Sequence, residues 1–389
     1  MTPKPEYIYI AFDLFPSKKG ASTHINHCLK ALQASFKTGL LICLGNEDMP
    51  SFQFDKERNL YVYRWKKKVV NFLERTDAFQ NEIHKLFKSD ICSQIKLVHF
   101  RDIWGGIPAI KHFTKIPKLF EINAFTSIEL PNRYPGINAS VIKVLKERER
   151  FCVTNSTAII SPSKVTKAYI HGTFNVPQKK VTVIPNGVTV YNSKPIKTPK
   201  KQQILYFGAL QKWQGIKTLF KALKELNDLE IRLLICSSIP EKRTAMYKEL
   251  SVAIGVDHKI DWCFELDKKQ LAKKIRASVL SVAPLKACDR NLIQGCNPLK
   301  ILESMAYGTP VMASNIPVVR ELITNKSLGF LVYPDRPEIL GRTIRKVLET
   351  PEILKEVGCK SQIYIEKNYL WKYQEAKMTT LYKTLTLNV

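Results

Sequence analysis

The chain has 389 residues, with 61 lysines and arginines against 34 aspartates and glutamates, a formal net charge of +27. A hydrophobic share of 45% with 10% aromatics supports full cores, excludes a disordered or fibrous polymer and, at this length, suits two domains. No apolar run nears the roughly 18 residues of a spanning helix and no signal peptide pattern opens the chain, so a cytoplasmic protein with an anionic partner is expected: a membrane face, nucleic acid or an acidic substrate.

Strand and helix patterns alternate throughout, which points to α/β with parallel sheets. In the first half, strands are expected at 7–12, 39–44, 60–63, 97–100, 119–122, 158–161 and 181–184, with helical periodicity at 24–34 and 77–88. The stretch Phe15-Pro16-Ser17-Lys18-Lys19-Gly20-Ala21-Ser22-Thr23-His24 follows the first strand. Its Gly20 lets backbone approach a ligand, and the amides of the helix behind it offer positive potential. The cluster Arg64-Trp65-Lys66-Lys67-Lys68, continued by Val69, Val70, Asn71 and Phe72, mixes charge with apolar bulk. Such a mixture suits an anionic membrane surface, and equally a merely soluble lysine-rich face.

Further along, Leu97-Val98-His99-Phe100-Arg101-Asp102 ends a strand, where active-site residues collect in α/β proteins. Glu121, Asn123 and Ala124 follow the next strand. Glu121 is either structural or part of a site, and Asn123 can hydrogen-bond a hydroxyl without titrating near neutral pH. A turn at Ile184-Pro185-Asn186-Gly187-Val188 precedes a Lys- and Pro-rich linker at 191–201.

A second alternation begins with a strand at 204–207 and continues with a helix at 215–226, a strand at 231–236, helices at 242–253 and 267–276 and a strand at 279–283. Helices are expected at 336–348 and 351–368, and an amphipathic closing helix at 369–385. Between them lies GCNPLKILESMAYGTPVMASNIPVVREL, from Gly295 to Leu322. Pro298 fits a first helical turn, and the free amides of that turn near Asn297, Pro298 and Leu299 favour an anion. Glu303, a few residues inside the helix, can accept hydrogen bonds from a vicinal diol such as a ribose. Nine scattered cysteines, none in a CxxC pair, read as buried thiols, with no zinc site or disulfide framework.

These motifs resemble family 4 glycosyltransferases over nearly the whole chain. Glu303, Ala306, Gly308, Pro310, Val311 and Glu321 stand where that family's donor signature has its matching residues; Gly20 and His24 fit its first glycine loop and the Ile184–Val188 turn its interdomain motif. The resemblance implies the GT-B fold: α/β, two Rossmann-like domains facing each other across a cleft. Residues 1–190 would be the acceptor-side domain, 191–201 the linker, 202–366 the nucleotide-sugar domain and 367–389 a helix returning to the first. It further implies transfer of a sugar from a nucleoside-diphosphate sugar, a UDP-sugar first, to a hydroxyl on a lipid-linked or polysaccharide acceptor, with retention at the anomeric carbon. Gly20, His24, His99, Arg101, Asp102, Glu121 and Asn123 would form the catalytic and acceptor wall. Gly208, Lys212, Gln214, Arg290, Asn297, Pro298, Leu299, Lys300 and Glu303 would hold the nucleotide sugar.

The chain also departs from the family pattern. Ala209 and Gln214 stand where an Arg and a Lys usually neutralise the leaving diphosphate, Lys19 replaces a loop glycine, and Gly295 replaces the first of two carboxylates. Arg290 and Lys300 are the candidates to supply the missing charge, with Lys212 third. No D-x-D pair is present, so no metal or other resident cofactor is expected. Two alternatives stand beside this reading. One is a degenerate GT-B protein that binds nucleotide without turnover; the other is a basic nucleic-acid-binding protein. Against the latter, basic residues do not alternate with aromatics on a sheet face, and no helix-turn-helix or RNA-binding motif appears.

Overall fold

The computed structural model describes residues 3–17, 20–190 and 201–387. The chain forms two compact units, one of residues 1–185 with 372–389 and the other of residues 186–371. The linker expected at 191–201 lies outside the described residues except for Lys201, which begins a strand, and so do Lys18 and Lys19 of the glycine loop.

The first unit is built on β1 (Tyr7–Leu14), β2 (Gly39–Leu44), β3 (Phe52–Asp55), β4 (Leu60–Trp65), β5 (Leu97–Phe100), β6 (Lys118–Glu121), β7 (Ala158–Ser161) and β8 (Val181–Val183). Its helices are α1 (Gly20–Gln33), α2 (Phe72–Phe87), α3 (Ile103–His112), α4 (Thr126–Arg133), α5 (Ala139–Asn155) and α6 (Lys164–Phe174). The second unit carries α7 (Ile216–Lys224), α8 (Ala245–Ile254), α9 (Lys268–Ala277), α10 (Leu299–Ala306), α11 (Pro317–Arg320), α12 (Pro337–Leu348) and α13 (Pro351–Asn368) around β9 (Lys201–Gly208), β10 (Arg232–Ser237), β11 (Ile260–Phe264), β12 (Ser278–Ala283), β13 (Val311–Ser314) and β14 (Phe330–Val332). The closing helix α14 (Trp371–Leu387) belongs from Lys372 onward to the first unit.

Strand order in the first sheet is β3-β4-β2-β1-β5-β6-β7-β8, and in the second β11-β10-β9-β12-β13-β14. All the pairings are parallel except β3 with β4. Parallel strands are covered on both faces, so their sequences run almost continuously apolar; Tyr7 to Ala11 of β1 are all fully buried. In α7 the buried residues Ile216, Leu219, Phe220 and Leu223 recur at helical spacing and pack on the second sheet's core. No helix among the described residues is long and apolar enough to cross a membrane.

The order of chain progression reverses between β1 and β5 in the first sheet and between β9 and β12 in the second. At such a switch point the loops leaving neighbouring strands diverge to opposite faces and open a crevice at the carboxyl ends. Gly208 ends β9 beside that crevice, and the chain then makes a tight turn at Lys212–Gln214 before Gly215 opens α7. Gly215 has φ +72°, and a Cβ there would lie 1.8 Å from the Pro284 carbonyl oxygen. Gly255 has a similar φ of +80° but faces open space. Gly255→Ala is therefore expected to cost about 1–2 kcal/mol, the left-handed backbone term alone. Gly215→Ala adds overpacking and should cost on the order of 3–5 kcal/mol. Denaturant unfolding of the two variants side by side checks the difference; equal losses would contradict it.

Candidate functional site

At the switch point of the first unit, Glu121 ends β6 with 1% of its surface exposed. A buried carboxylate needs several partners, and here six side chains converge on it. Tyr9 of β1 donates at 2.9 Å, Asn123 Nδ2 at 2.5 Å and Cys28 Sγ of α1 at 3.4 Å. His24 Nδ1 lies 3.1 Å away, Arg101 at 3.2 Å and His99 Nε2 at 3.3 Å. Burial alone would raise the Glu121 carboxyl, but Arg101, then His24 and His99, outweigh it and hold it well below its ordinary value. Burial pushes His24 down to about 4 and lowers His99 as well, so both imidazoles are neutral at pH 7 and turn an N–H toward the carboxylate.

This arrangement corrects part of the expected acceptor wall. His99 is fully buried, and its other nitrogen lies 3.1 Å from Tyr382 Oη of α14. Asp102 is the N-cap of α3: its two oxygens accept from Gly105 N at 2.8 Å and Phe12 N at 2.7 Å. Burial raises it to about 6. Neither side chain is left to meet a substrate: hydrogen bonds inside the unit occupy Asp102, and His99 is fully buried between Tyr382 and Glu121. Arg101 has 8% of its side chain exposed and spans Glu121 and Asp13. Gly20 is exposed at the first position of α1. Asn123 is half-buried, and because a carboxylate only accepts, its amide nitrogen must face Glu121. Its carbonyl oxygen then remains to accept from a hydroxyl.

His24, Cys28 and Glu121 hold ligand-type atoms within 4.8 Å of one another. They are bonded to each other, however, and the Arg101 cation sits against the same carboxylate, which opposes a second positive charge. Tyr9, Cys28 and Tyr382 were not legible as members of this cluster, since a buried Tyr or Cys in an apolar run reads as packing.

The second unit gathers its charged groups at the β9–β12 switch point. Lys300 and Glu303 sit one turn apart on α10, which Ser304 anchors by donating to Ser281 of β12 at 2.8 Å. Lys300 Nζ donates to Gln214 Oε1 at 2.6 Å and stands 3.8 Å from the centre of the Tyr206 ring. Burial brings Lys300 down to about 7, with Cys296 and Glu303 opposing and Arg290 assisting. Burial likewise lifts Glu303 to about 7 against the pull of Lys268 and Lys300. Arg290 opens a single π-helical turn, Arg290–Gln294, and lays its guanidinium over the Trp213 ring at 4.8 Å. Buried Asn291 ties that turn down, donating to Trp213 O at 3.0 Å and Lys286 O at 2.8 Å.

Gly208, Gln214, Arg290 and Lys300 are thus brought together, whereas Lys212 is exposed away from any described partner contact. Pro298 is the residue before α10 rather than its first turn, so the helix starts one position later than the sequence implies. Asn297 is committed to the turn at 184–188: Asn186 donates to its Oδ1 and its carbonyl, both at 3.1 Å. Gly295, in place of the family's first carboxylate, has φ 78° and ψ 171°, a region open essentially to glycine alone. The loop path itself excludes a Glu there. Tyr206 and Trp213 are the functional side chains that sequence reasoning missed; an aromatic beside an expected cation was the signal available.

The basic cluster at 64–72 forms the expected surface only in part: Lys67, Lys68 and Val70 are exposed, whereas Arg64 and Trp65 are not. Arg64 and Trp65 are buried, Arg64 donating to Phe15 O at 3.1 Å and Gln53 Oε1 at 2.8 Å. Trp65 packs edge-on against Phe79, and Phe72 against Trp104. Lys66 donates to main-chain carbonyls, and Lys67 and Lys68 pair with Glu82 and Glu47. Trp65 is core and Phe72 is half-buried against it, while Glu82 and Glu47 stand beside the exposed ammonium groups of Lys67 and Lys68. A groove of about 480 Å³ lies elsewhere on the unit, at α4 and α5, lined by Pro131, Pro135, Ile137, Ile142, Lys143 and Lys146.

Comparison with known proteins adds the following. Residues 190–362 match the family described as glycosyl transferases group 1, and residues 18–190 the one described as glycosyltransferase family 4. An uncharacterized glycosyltransferase from Methanocaldococcus jannaschii is 23% identical over 289 residues, 70% of this chain and 71% of that one. Sucrose-phosphate synthase from Thermosynechococcus elongatus superposes with a TM-score of 0.79 at 16% identity, over 99% of this chain and 100% of its own. HepE from Anabaena, in complex with UDP and glucose, superposes with a TM-score of 0.73 at 14% identity, over 97% and 100%. The two structures bear on the fold, which is of the GT-B type.

The buried carboxylate carries a test of its own. Glu121→Gln keeps the shape but strands Arg101, and should cost about 3–5 kcal/mol in denaturant unfolding. A carboxyl held below its unfolded value stabilises above about pH 4.3, and that contribution is lost as pH falls through its folded value. Wild type should therefore lose more stability than the variant on acidification below about pH 4.3; parallel losses would mean that Glu121 is not the ionised hub.

Proposed function

The chain belongs to the family 4 type of glycosyltransferase with a GT-B fold, and from that premise we propose that it moves a sugar from a nucleoside-diphosphate sugar, a UDP-sugar first, to an acceptor hydroxyl with retention of anomeric configuration. The observation that carries this reading is the gathering of two cations and one carboxylate at the β9–β12 switch point, beside the amino end of α10. Glu303 accepts from the two ribose hydroxyls, and the amides of Leu299 and Lys300 meet the diphosphate together with Lys300 and Arg290. That HepE binds UDP in the same fold supports the choice of base.

In the step itself the bond from the anomeric carbon to the diphosphate oxygen breaks, and its electron pair stays on the diphosphate. The acceptor oxygen bonds to the anomeric carbon on the same face, and its proton passes to the departing phosphate. Lys300 and Arg290 stabilise the charge that develops there. No resident metal is needed in this scheme. Within the first unit, Asn123 offers its carbonyl oxygen to a hydroxyl.

For the acceptor we propose a lipid-linked saccharide met at the cytoplasmic membrane face. The groove at α4 and α5 gives an apolar floor with Lys143 and Lys146 on its wall, a combination suited to chains and phosphates. Lys143→Glu with Lys146→Glu should lower co-sedimentation with phosphatidylglycerol vesicles, at roughly 1 kcal/mol per charge, whereas Lys67→Glu with Lys68→Glu should change it little. The opposite ranking would remove the groove from the account.

Calorimetry with UDP tests the donor site. Glu303→Gln should weaken UDP about 10- to 100-fold, as loss of a charged acceptor does, with EDTA leaving wild-type affinity unchanged. Glu303, which faces Lys268 and Lys300, must be ionised to accept from the diol; its value of about 7 makes affinity rise with pH toward neutrality. Lys300, which faces Cys296, Arg290 and Glu303, must be protonated; its value of about 7 makes affinity fall above neutrality. A profile flat from pH 6 to 8.5, or full affinity in Glu303→Gln, would refute the assignment.

A further inference from the structure

The sequence lacks a lysine at 214, yet a lysine ammonium stands at the tip of the residue that occupies 214. Lys300 reaches from α10 to donate to Gln214 Oε1 at 2.6 Å. We propose that the diphosphate-binding cation of this chain has been exchanged between two positions, so that Lys300 fills the place of a 214 lysine, with Gln214 and Tyr206 as its positioning residues. This rests on the nucleotide-sugar reading above and deepens it.

Three features of the site bear the exchange out. A lysine at 214 and one at 300 are mutually exclusive at this spacing, because two ammonium groups about 3 Å apart repel strongly in a half-buried site. Glutamine at 214 turns that conflict into an acceptor for the incoming ammonium. The Tyr206 ring is fully buried and its hydroxyl donates to Ala209 O at 2.7 Å, so the face beneath Lys300 is fixed. A cation 3.8 Å above that face is attracted by it. Finally, Lys300 Cε lies 3.9 Å from where a Cβ of Gly208 would stand, so the side chain crosses from α10 over the end of β9, where φ +112° favours glycine. The depressed basicity of Lys300 is what such a seat produces when no anion is bound.

The same site explains the second missing charge. Arg290 rests on Trp213, the residue just before Gln214, so the turn at Lys212–Gln214 supplies an acceptor for one cation and an aromatic face for the other. With no cation at 209 or 214, the turn is the platform for two that arrive from the loop and helix after β12.

The test is calorimetric titration of wild type, K300Q, Q214K and the double variant Q214K/K300Q with UDP and with uridine. K300Q should weaken UDP at least about tenfold and leave uridine unchanged, since the lost contact is to phosphate. Q214K alone, with two ammonium groups in one seat, should bind UDP no better than wild type. The double variant should recover to within about threefold of wild type. K300R should keep most of the affinity and remove its fall above pH 7, since guanidinium stays charged, a readout that a merely structural lysine would not move. Should K300Q misfold, K300M gives the same comparison. If wild type binds UDP and the double variant stays as weak as K300Q, the exchange is wrong while the donor reading stands. If wild type binds none of UDP, GDP and ADP, both fall together.

Discussion

A carboxylate taken wholly out of water must be met by charge and hydrogen bonds from whatever elements surround it, and Glu121 organises the first unit on that condition. Its partners come from β1, α1, the end of β5 and the residues just after β6, and through His99 from α14. Those segments are far apart in the chain, so the carboxylate fixes their mutual register at one point. The closing helix owes part of its seat to the same hub: Met378 packs against Cys28, Glu375 pairs with His27, and Tyr382 reaches His99. Removing one partner of such a pair is costly because the survivor is left charged and dry.

The second unit uses burial differently. Its two titratable groups on α10 are not matched into a tight pair; each is drawn toward neutrality by partial desolvation, one from above and one from below. Under the nucleotide-sugar reading proposed above, such a site is completed by an anion and a diol. Phosphate would restore the charge on Lys300 and hydroxyl donors would restore it on Glu303, so ligand binding and ionisation favour each other. Gly295 bears on the same balance of charge: the backbone there takes a path that only glycine follows easily, so no second carboxylate stands at that position.

Much of the fold was legible because parallel strands advertise themselves as unbroken apolar runs. The strands at 39–44, 97–100 and 158–161 were read to the residue. Short or edge strands were not: β3, whose residues are half-exposed, and β11, with partial burial along most of its length, have no apolar run to read. Backbone geometry was legible where it dictates sequence, as at Gly208 and Gly215, whose positive φ values bracket the turn after β9. The site was illegible where a residue's role depends on a partner far away in the chain. Arg64 and Trp65 look like a surface patch beside three lysines, yet β4 carries both into the core. Tyr206 looks like strand core, and is, but its face also seats Lys300.

Burial by itself therefore does not separate a structural charge from a functional one here. Glu121 is buried and Glu303 half-buried, yet one is driven well below its ordinary value and the other up to about 7. What differs is how many permanent partners the fold supplies. Glu121 has a guanidinium and five further donors or imidazoles within its own unit, enough to stabilise the charge without any ligand. Glu303 has ammonium groups that only partly offset its desolvation, which leaves bonding capacity to be satisfied from outside. By that criterion Asp102, whose hydrogen bonds are already taken, and His99, which is fully buried, belong with the scaffold despite lying at strand ends. Lys300 and Glu303, each drawn toward neutrality by burial, lack that permanent compensation. The motif positions that look most catalytic in the sequence of the first unit are largely the ones that hold it together.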